Sequence, residues 1–429
     1  MNTENSLILH GPVAYSRGPD ELITFEDAYA VCVNGVSEGV FESLPEEYRG
    51  LPVEDVRGKL IIPGLVDLHI HAPQYQFRGI GMDMELLPWL ASYAFPEEAR
   101  YADIDYAAAA YAMFVKELRH SATTRACVFA TAHKAATLKL MELLEESGLV
   151  TFVGKVCMDR NVPDYYVEST EGSLSATGEW LSEAEKAGFL NTHPIITPRF
   201  TPACTRELMR GLAELSREYA VPVQSHLSEN LSEIELVKEL EPDTSCYADS
   251  YVRAGLIRKD CPSVMVHCVW SGEEELSILK ENGVFIAHSP ESNINLCSGA
   301  APVKKYLEAG LNTGLATDVA GGSSTSMFSA IRNAVFASKL RFRLYDGSVK
   351  PLTFSEAFYL ATKGGGAFFG KAGSLEKGYM FDALILDESR IPTMRTDMNI
   401  AERLERFVYL GHDNDIAGKL VCGKKLFWK

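Results

Sequence analysis

Positive charge is outweighed in this 429-residue chain, where 41 Lys and Arg stand against 58 Asp and Glu for a net charge of −17. Such a balance argues against a surface for nucleic acid or for an anionic membrane, and neither is expected as a partner. No uninterrupted apolar run reaches the roughly 20 residues that span a bilayer. The opening Met1-Asn2-Thr3-Glu4-Asn5-Ser6 has no basic stretch followed by a long apolar one, so no secretory leader is expected. The nine cysteines include no Cys-x-x-Cys pair, which argues against a disulfide frame or a structural zinc site and for reduced thiols in a cytoplasmic protein. His-Glu-x-x-His is absent. No Gly-x-Gly-x-x-Gly follows the first long apolar run, which removes the commonest dinucleotide-binding form of an open α/β sheet. The stretch Gly365 to Lys371 nearly spells a phosphate-binding loop, but Ala372 stands where Ser or Thr is required, so it reads as a helix stop and turn.

What is present is the composition of a globular protein, 46% hydrophobic and 23% charged, enough for a large core. The first 60 or so residues alternate apolar segments with turn residues. Ser6–Pro12 and Ala28–Gly35 read as short strands, the second closing in an Asn34-Gly35 hairpin turn. From Lys59 the pattern changes to apolar strands alternating with amphipathic helices. The strands are expected at Leu60–His71, Thr123–Ala130, Val150–Met158, His193–Pro202, Val221–Glu229, Ser263–Val269, Gly283–Pro290 and Leu311–Asp318. Eight such units in about 260 residues predict a (β/α)8 TIM barrel. Strand-like alternation returns over Gly378–Leu386 and Lys419–Phe427. We therefore expect residues 1–63 and 375–429 to form a small composite β-sandwich flanking a barrel at 64–374. The long loop after the first strand, Ala72 to Asp103, reads as a lid, with Trp89 either lining it or anchoring it.

Catalytic side chains of such a barrel come from the C-terminal ends of its strands. His69 and His71 end strand 1, two residues apart and therefore on one face. His226 and Glu229 end strand 5, His267 ends strand 6, and Asp318 ends strand 8. Each singly could be a buried histidine bonded to a carbonyl or a helix-capping carboxylate. Together they suit metal-assisted hydrolysis. His69, His71, His226 and Asp318 would hold one divalent ion by three nitrogens and one oxygen, which would lower the pKa of a bound water from about 16 toward about 7. Asp318 would take the proton of the attacking water, His267 would polarise or orient that water, and Glu229 would shuttle protons to substrate and leaving group. Lys155 is the only lysine near a strand end that could bridge a second metal, and it sits three residues short of Met158, which favours a mononuclear site. His133 and His288 read as loop or helix-cap histidines.

Several stretches carry a family resemblance: Pro63–His71, His71-Ala72-Pro73-Gln74-Tyr75, Phe95-Pro96-Glu97-Glu98, Val153–Asp159, Thr197-Pro198-Arg199-Phe200, Gln224–Asn230 and Thr317–Gly322. Through them the chain resembles the amidohydrolase superfamily over nearly its full length, and within it the guanine deaminases. The resemblance implies hydrolytic deamination of guanine to xanthine and ammonia, in a homodimer with one zinc ion per subunit. By motif position it implies His69, His71, His226 and Asp318 as zinc ligands and Gln74, Arg199 and Phe200 as purine contacts. His71, His226, Glu229 and Asp318 then border the substrate as well. Two stretches depart from the family's usual pattern and bear on fine substrate preference: Glu291 follows strand 7, and Cys268-Val269-Trp270 follows His267. The alternatives are deamination of another purine, a pterin or a triazine ring, or a non-catalytic binding homologue, which would lack a ligand. The His-x-Glu and Pro-Cys-x-x-Cys signature of cytidine-deaminase-type sites is absent.

Overall fold

The computed structural model of the chain describes residues 5–429. Met1–Glu4, the first part of the stretch in which a secretory leader was sought, lies outside them. Strands from both ends of the chain pair in one sheet. Strands Leu7–Gly18, Glu21–Val33, Val36–Phe41, Val53–Asp55 and Leu60–Pro63 join Ala383–Leu386, Ile416–Val421 and Lys424–Trp428 in a single eight-stranded sheet. The seam is the antiparallel pairing of Leu60–Pro63 with Ala383–Leu386, Ile62 facing Leu384. One cluster of buried side chains mixes Leu9, Val13 and Tyr15 with Phe381, Ile385 and Leu420, so neither end can bury its apolar surface alone.

The first two strands run 12 and 13 residues, longer than the short strands expected. The first was expected to end at Gly11-Pro12, but the ladder only shifts register between Gly11 and Val13. A bulge there accommodates Pro12, which has no N–H to give, and lets pairing continue. Asn34 and Gly35 make the predicted turn, with φ of 51° and 79°.

The run Leu60–His71, expected as one strand, serves two sheets. Leu60–Pro63 stays in the terminal sheet, while Leu65–His71 pairs in parallel with Thr123–Phe129. The break falls at Gly64, where a Cβ would lie 2.2 Å from Thr124 Oγ1, so only glycine lets the chain cross between sheets here. Leu65–His71 then begins a parallel series running through Thr123–Phe129 and Val150–Gly154 to Thr192–Pro194. A second series runs Val223–Leu227, Ser263–His267, Phe285–His288, Asn312–Leu315. The third and fourth expected strands are interrupted, and their continuations, Val156–Cys157 and Thr197–Pro198, pair separately; Pro194 and Pro198 cannot donate to a continuous ladder. Hydrogen bonds link the two series at both sides, from Gln224 N–H to Ile196 O (2.9 Å) and from Asp318 N–H to His69 O (2.9 Å). Helices fill the connections, among them Ile104–His120, Lys134–Ser147, Thr170–Ala187 and Arg206–Glu218. From Phe354 the chain runs in one helical stretch to Phe369, passing through a π turn at Leu360–Gly364, and Gly370 at φ 87° ends it, in keeping with a helix stop over Gly365–Lys371.

Buried Arg125 on the second parallel strand binds Asp382 beside the terminal sheet at 2.6 Å, which joins the two units. Among the described residues no helix is long and apolar enough to cross a membrane. Gly64→Ala should cost about 1–3 kcal/mol in urea unfolding, through the collision with Thr124. Adding Thr124→Ala should recover part of that loss.

Candidate active site

His69 and His71 end the first parallel strand, and Asp67 stands just before them, across a register irregularity between Asp67 and Ile70. The Asp67 carboxylate is buried and accepts the main-chain N–H groups of His69 (3.2 Å) and Thr317 (3.0 Å) and the Thr317 hydroxyl (2.6 Å). It clips the strand carrying the histidines to the segment carrying Asp318. His226 stands on the fifth parallel strand and His267 ends the sixth. His267 and Asp318 both adopt left-handed backbone, φ 75° and 51°. That conformation costs a non-glycine residue about 1–3 kcal/mol, and such costs cluster where side chains must be aimed into a site.

The five side chains converge. His69 Nε2 lies 3.0 Å and His71 Nε2 3.6 Å from Asp318 Oδ1, while His267 Nε2 lies 3.7 Å from Asp318 Oδ2. His71 Nε2 and His226 Nε2 are 3.2 Å apart. Two groupings of potential metal donors overlap here, His69-His71-Asp318 and His69-His226-His267. The tautomers follow from the outer nitrogens. His226 Nδ1 meets the Arg199 carbonyl oxygen at 2.6 Å and His267 Nδ1 meets Asn293 Oδ1 at 2.8 Å. A carbonyl oxygen only accepts, so each Nδ1 carries the proton and each Nε2 turns a lone pair inward. His69 Nε2 and His267 Nε2 are buried without an aligned hydrogen-bond partner. Inward lone pairs and orphaned nitrogens around one carboxylate are what a cation satisfies, so this donor set fits a metal ion.

The electrostatics agree. Burial pushes His69 below the usual imidazole range and His71 and His226 well below it, keeping all three neutral. Burial also works to raise Asp318, but His69 and its neighbouring histidines outweigh it and bring the carboxylate down to about 2. Burial, followed by the charge of Asp318, pushes Glu229 up to about 8, so it holds its proton at neutral pH. Glu229 lies 3.3 Å from His267 Nε2 and accepts a hydrogen bond from the Ser298 hydroxyl at 3.0 Å.

A small pocket opens over this cluster. His71, Gln74, Arg199, Phe200, His226, Glu229, His267 and Asp318 all line it, while His69 sits fully buried behind. Leu86, Trp89 and Leu90 roof it, so the expected lid segment covers the pocket and Trp89 lines it. Lys155 pairs with Glu168 at 2.8 Å and takes no part in the cluster. Glu291 turns to Ser323 and Asn333. Trp270 donates to the Ser298 carbonyl oxygen (2.7 Å), bracing the residue that holds Glu229. His133 sits at the N-cap position of the Lys134 helix, as expected. His288 instead ends the seventh strand, fully buried, where a loop or helix-cap position was expected. Sequence reasoning misses Asp67, Glu98, Asn293 and Ser298. Asp67 and Glu98 lie within stretches that carry the family resemblance, Pro63–His71 and Phe95–Glu98, but nothing local marks the role of either.

The family model described as "Amidohydrolase family" matches residues 60–426. The chain belongs to this family. Amidohydrolase-family relatives that it resembles include guanine deaminase of Dictyostelium discoideum, 40% identical over 381 residues, covering 87% of this chain and 84% of the relative. Mouse guanine deaminase is 41% identical over 380 residues, covering 86% and 83%. The crystal structure of guanine deaminase from C. acetobutylicum, with guanine bound in its active site, superimposes with a TM-score of 0.94 at 45% identity, covering 98% of this chain and 100% of that one. The fold is the amidohydrolase fold. Asn293→Ala should free the His267 ring and weaken metal affinity or hydrolytic rate about 10- to 100-fold, read by chelator competition and by turnover. Unchanged values in both would separate Asn293 from the site.

Proposed function

We propose that this chain is a zinc-dependent guanine deaminase that hydrolyses guanine to xanthine and ammonia. The observation that carries the reading is one pocket that sets a cluster of histidines and a carboxylate beside a protonated Glu229 and opposite Arg199 and Gln74. The names of the relatives and the guanine bound in the C. acetobutylicum neighbour support the substrate. No candidate ligand is missing, which disfavours a non-catalytic homologue.

His69, His71, His226 and Asp318 would hold one zinc ion per subunit, a three-nitrogen, one-oxygen set suited to that metal. Bound there, zinc supplies acidification of a water near neutral pH. Asp318 accepts the proton of the attacking water and His267 orients that water. Glu229, protonated and inside the pocket, delivers its proton to the ring nitrogen beside the amino-bearing carbon; the proton held by Asp318 leaves with ammonia, and the hydroxyl left on the carbon returns its proton to Glu229 as the carbonyl forms. Phe200 offers a ring face to the base, while Arg199 and Gln74 read its polar edge. The cross-links from Asp318 to His69 and from Gln224 to Ile196 support closure of the eight parallel strands into a (β/α)8 barrel over residues 64–374. The shared core of the terminal sheet supports a β-sandwich from residues 1–63 and 375–429. A cytoplasmic homodimer completes the proposal.

Ammonia release should be fast with guanine, slow with adenine, cytosine and triazines, and abolished by chelation, then restored by added zinc. Equal rates across the panel would sink the substrate assignment. Glu229→Gln should keep its zinc and lose turnover by about 10³-fold or more. Loss of metal along with activity would contradict its role.

A further inference from the structure

The purine-facing side of the pocket holds a carboxylate with no assigned part in the reaction. Glu98 is fully buried in the segment that follows the roof of the pocket. Its Oε2 accepts from Arg199 Nη1 at 2.6 Å and its Oε1 from Arg199 Nη2 at 3.1 Å, an end-on fork. The same Oε1 accepts from Gln74 Nε2 at 2.8 Å. Tyr166 donates to Oε2 at 3.2 Å while its oxygen accepts the Ala132 N–H, so the carboxylate is itself held in place. The Phe95 ring lies 4.9 Å from the Arg199 guanidinium.

This arrangement has two consequences. The first is geometric. Gln74 accepts the Ala320 N–H with its own oxygen (3.1 Å) while its nitrogen is tied to Glu98. Its amide can therefore face only one way, with one N–H and one oxygen lone pair left for a ligand. Arg199 gives Glu98 two of its five N–H donors and keeps the rest at a fixed angle. The second is electrostatic. Arg199 is a fully buried cation on the pocket wall, and Glu98 is the counter-charge that makes the pair neutral. A neutral wall suits a neutral ring. An uncompensated Arg199 would favour an anion, and xanthine gives up a ring proton more readily than guanine does.

We propose that Glu98 is a positioning residue that aims Arg199 and Gln74 at the purine and, by neutralising Arg199, makes the pocket prefer the uncharged substrate over the more acidic oxopurine product. The proposal rests on the guanine-deaminase reading. It is tested on the zinc-loaded enzyme with Glu98→Gln, which removes the charge at nearly constant shape, and Glu98→Asp, which keeps the charge and shortens the reach. Zinc content and thermal unfolding are measured for each, with kcat and KM for guanine and competitive inhibition by xanthine at mildly alkaline pH. Zinc should stay at one per chain in both variants. For Glu98→Gln, KM should rise about 10- to 100-fold with kcat changed far less, and xanthine should bind more tightly relative to guanine than in wild type. Glu98→Asp should raise KM while leaving that ratio as in wild type.

Loss of zinc, a fall in kcat alone, or a parallel weakening of guanine and xanthine in Glu98→Gln would overturn the assignment. So would a shift of the ratio in Glu98→Asp equal to that in Glu98→Gln. Wild-type protein that releases no ammonia from guanine would refute the functional reading and this inference with it. Wild-type turnover with unaltered Glu98 variants would refute the inference alone.

Discussion

The Asp67 carboxylate is the point on which the site's geometry depends. It accepts the His69 N–H from one strand and both the N–H and hydroxyl of Thr317 from the segment that follows the last parallel strand. Asp318 is the next residue, and its own N–H closes onto the His69 carbonyl oxygen. Three bonds to one buried carboxylate thus fix the distance between the histidine pair and the opposing acid. A fully buried carboxylate is costly unless its oxygens are satisfied, and here the accepting bonds go to the groups that must be placed. Burial nonetheless pushes Asp67 up to about 7, with the Thr317 and His69 bonds opposing the rise.

Around that clip, each inward nitrogen is set by what the outward nitrogen meets. His226 is held by the Arg199 main-chain oxygen and His267 by Asn293. The first of these bonds couples the histidine cluster to the opposite wall of the pocket, because the same residue that fixes the His226 ring carries the guanidinium. Glu229 is kept in place by Ser298, whose carbonyl oxygen is in turn held by Trp270. The Trp270 that marks a departure from the family pattern therefore stands behind Glu229. Glu291, the other departure, is occupied by Ser323 and Asn333.

The pocket is roofed because the excursion after the first parallel strand returns over it. Leu86, Trp89 and Leu90 form the roof, and a few residues later Phe95 and Glu98 reach Arg199. One continuous segment therefore both roofs the pocket and completes the wall around Arg199. Excluding water strengthens every charge interaction beneath it, which gives the neutral histidines and the protonated Glu229 their chemical meaning.

Much of this is legible in the amino-acid sequence. Period-two and period-3.6 patterning locates the parallel strands and their helices, because burial on both faces leaves near-continuous apolar runs. Polar residues ending those runs stand out for the same reason, and His69, His71, His226, Glu229, His267 and Asp318 do converge. The Asn34-Gly35 turn is readable because two successive left-handed residues select that dipeptide. Strand ends are less legible. Gly64 divides one apolar run between two sheets through a contact with Thr124, far along the chain, that no local pattern contains. The bulge at Pro12 likewise depends on a partner strand. Glu98, Asn293 and Ser298 lie in helices or loops where a polar residue is ordinary, and only the approach of Arg199, His267 and Glu229 from distant strands gives them partners. Residue type and spacing by themselves determined which groups could do the chemistry. The tertiary structure alone decided which tautomer each imidazole adopts, which carboxylate keeps its proton and which is a counter-ion, since those depend on burial and on neighbours brought together across the chain.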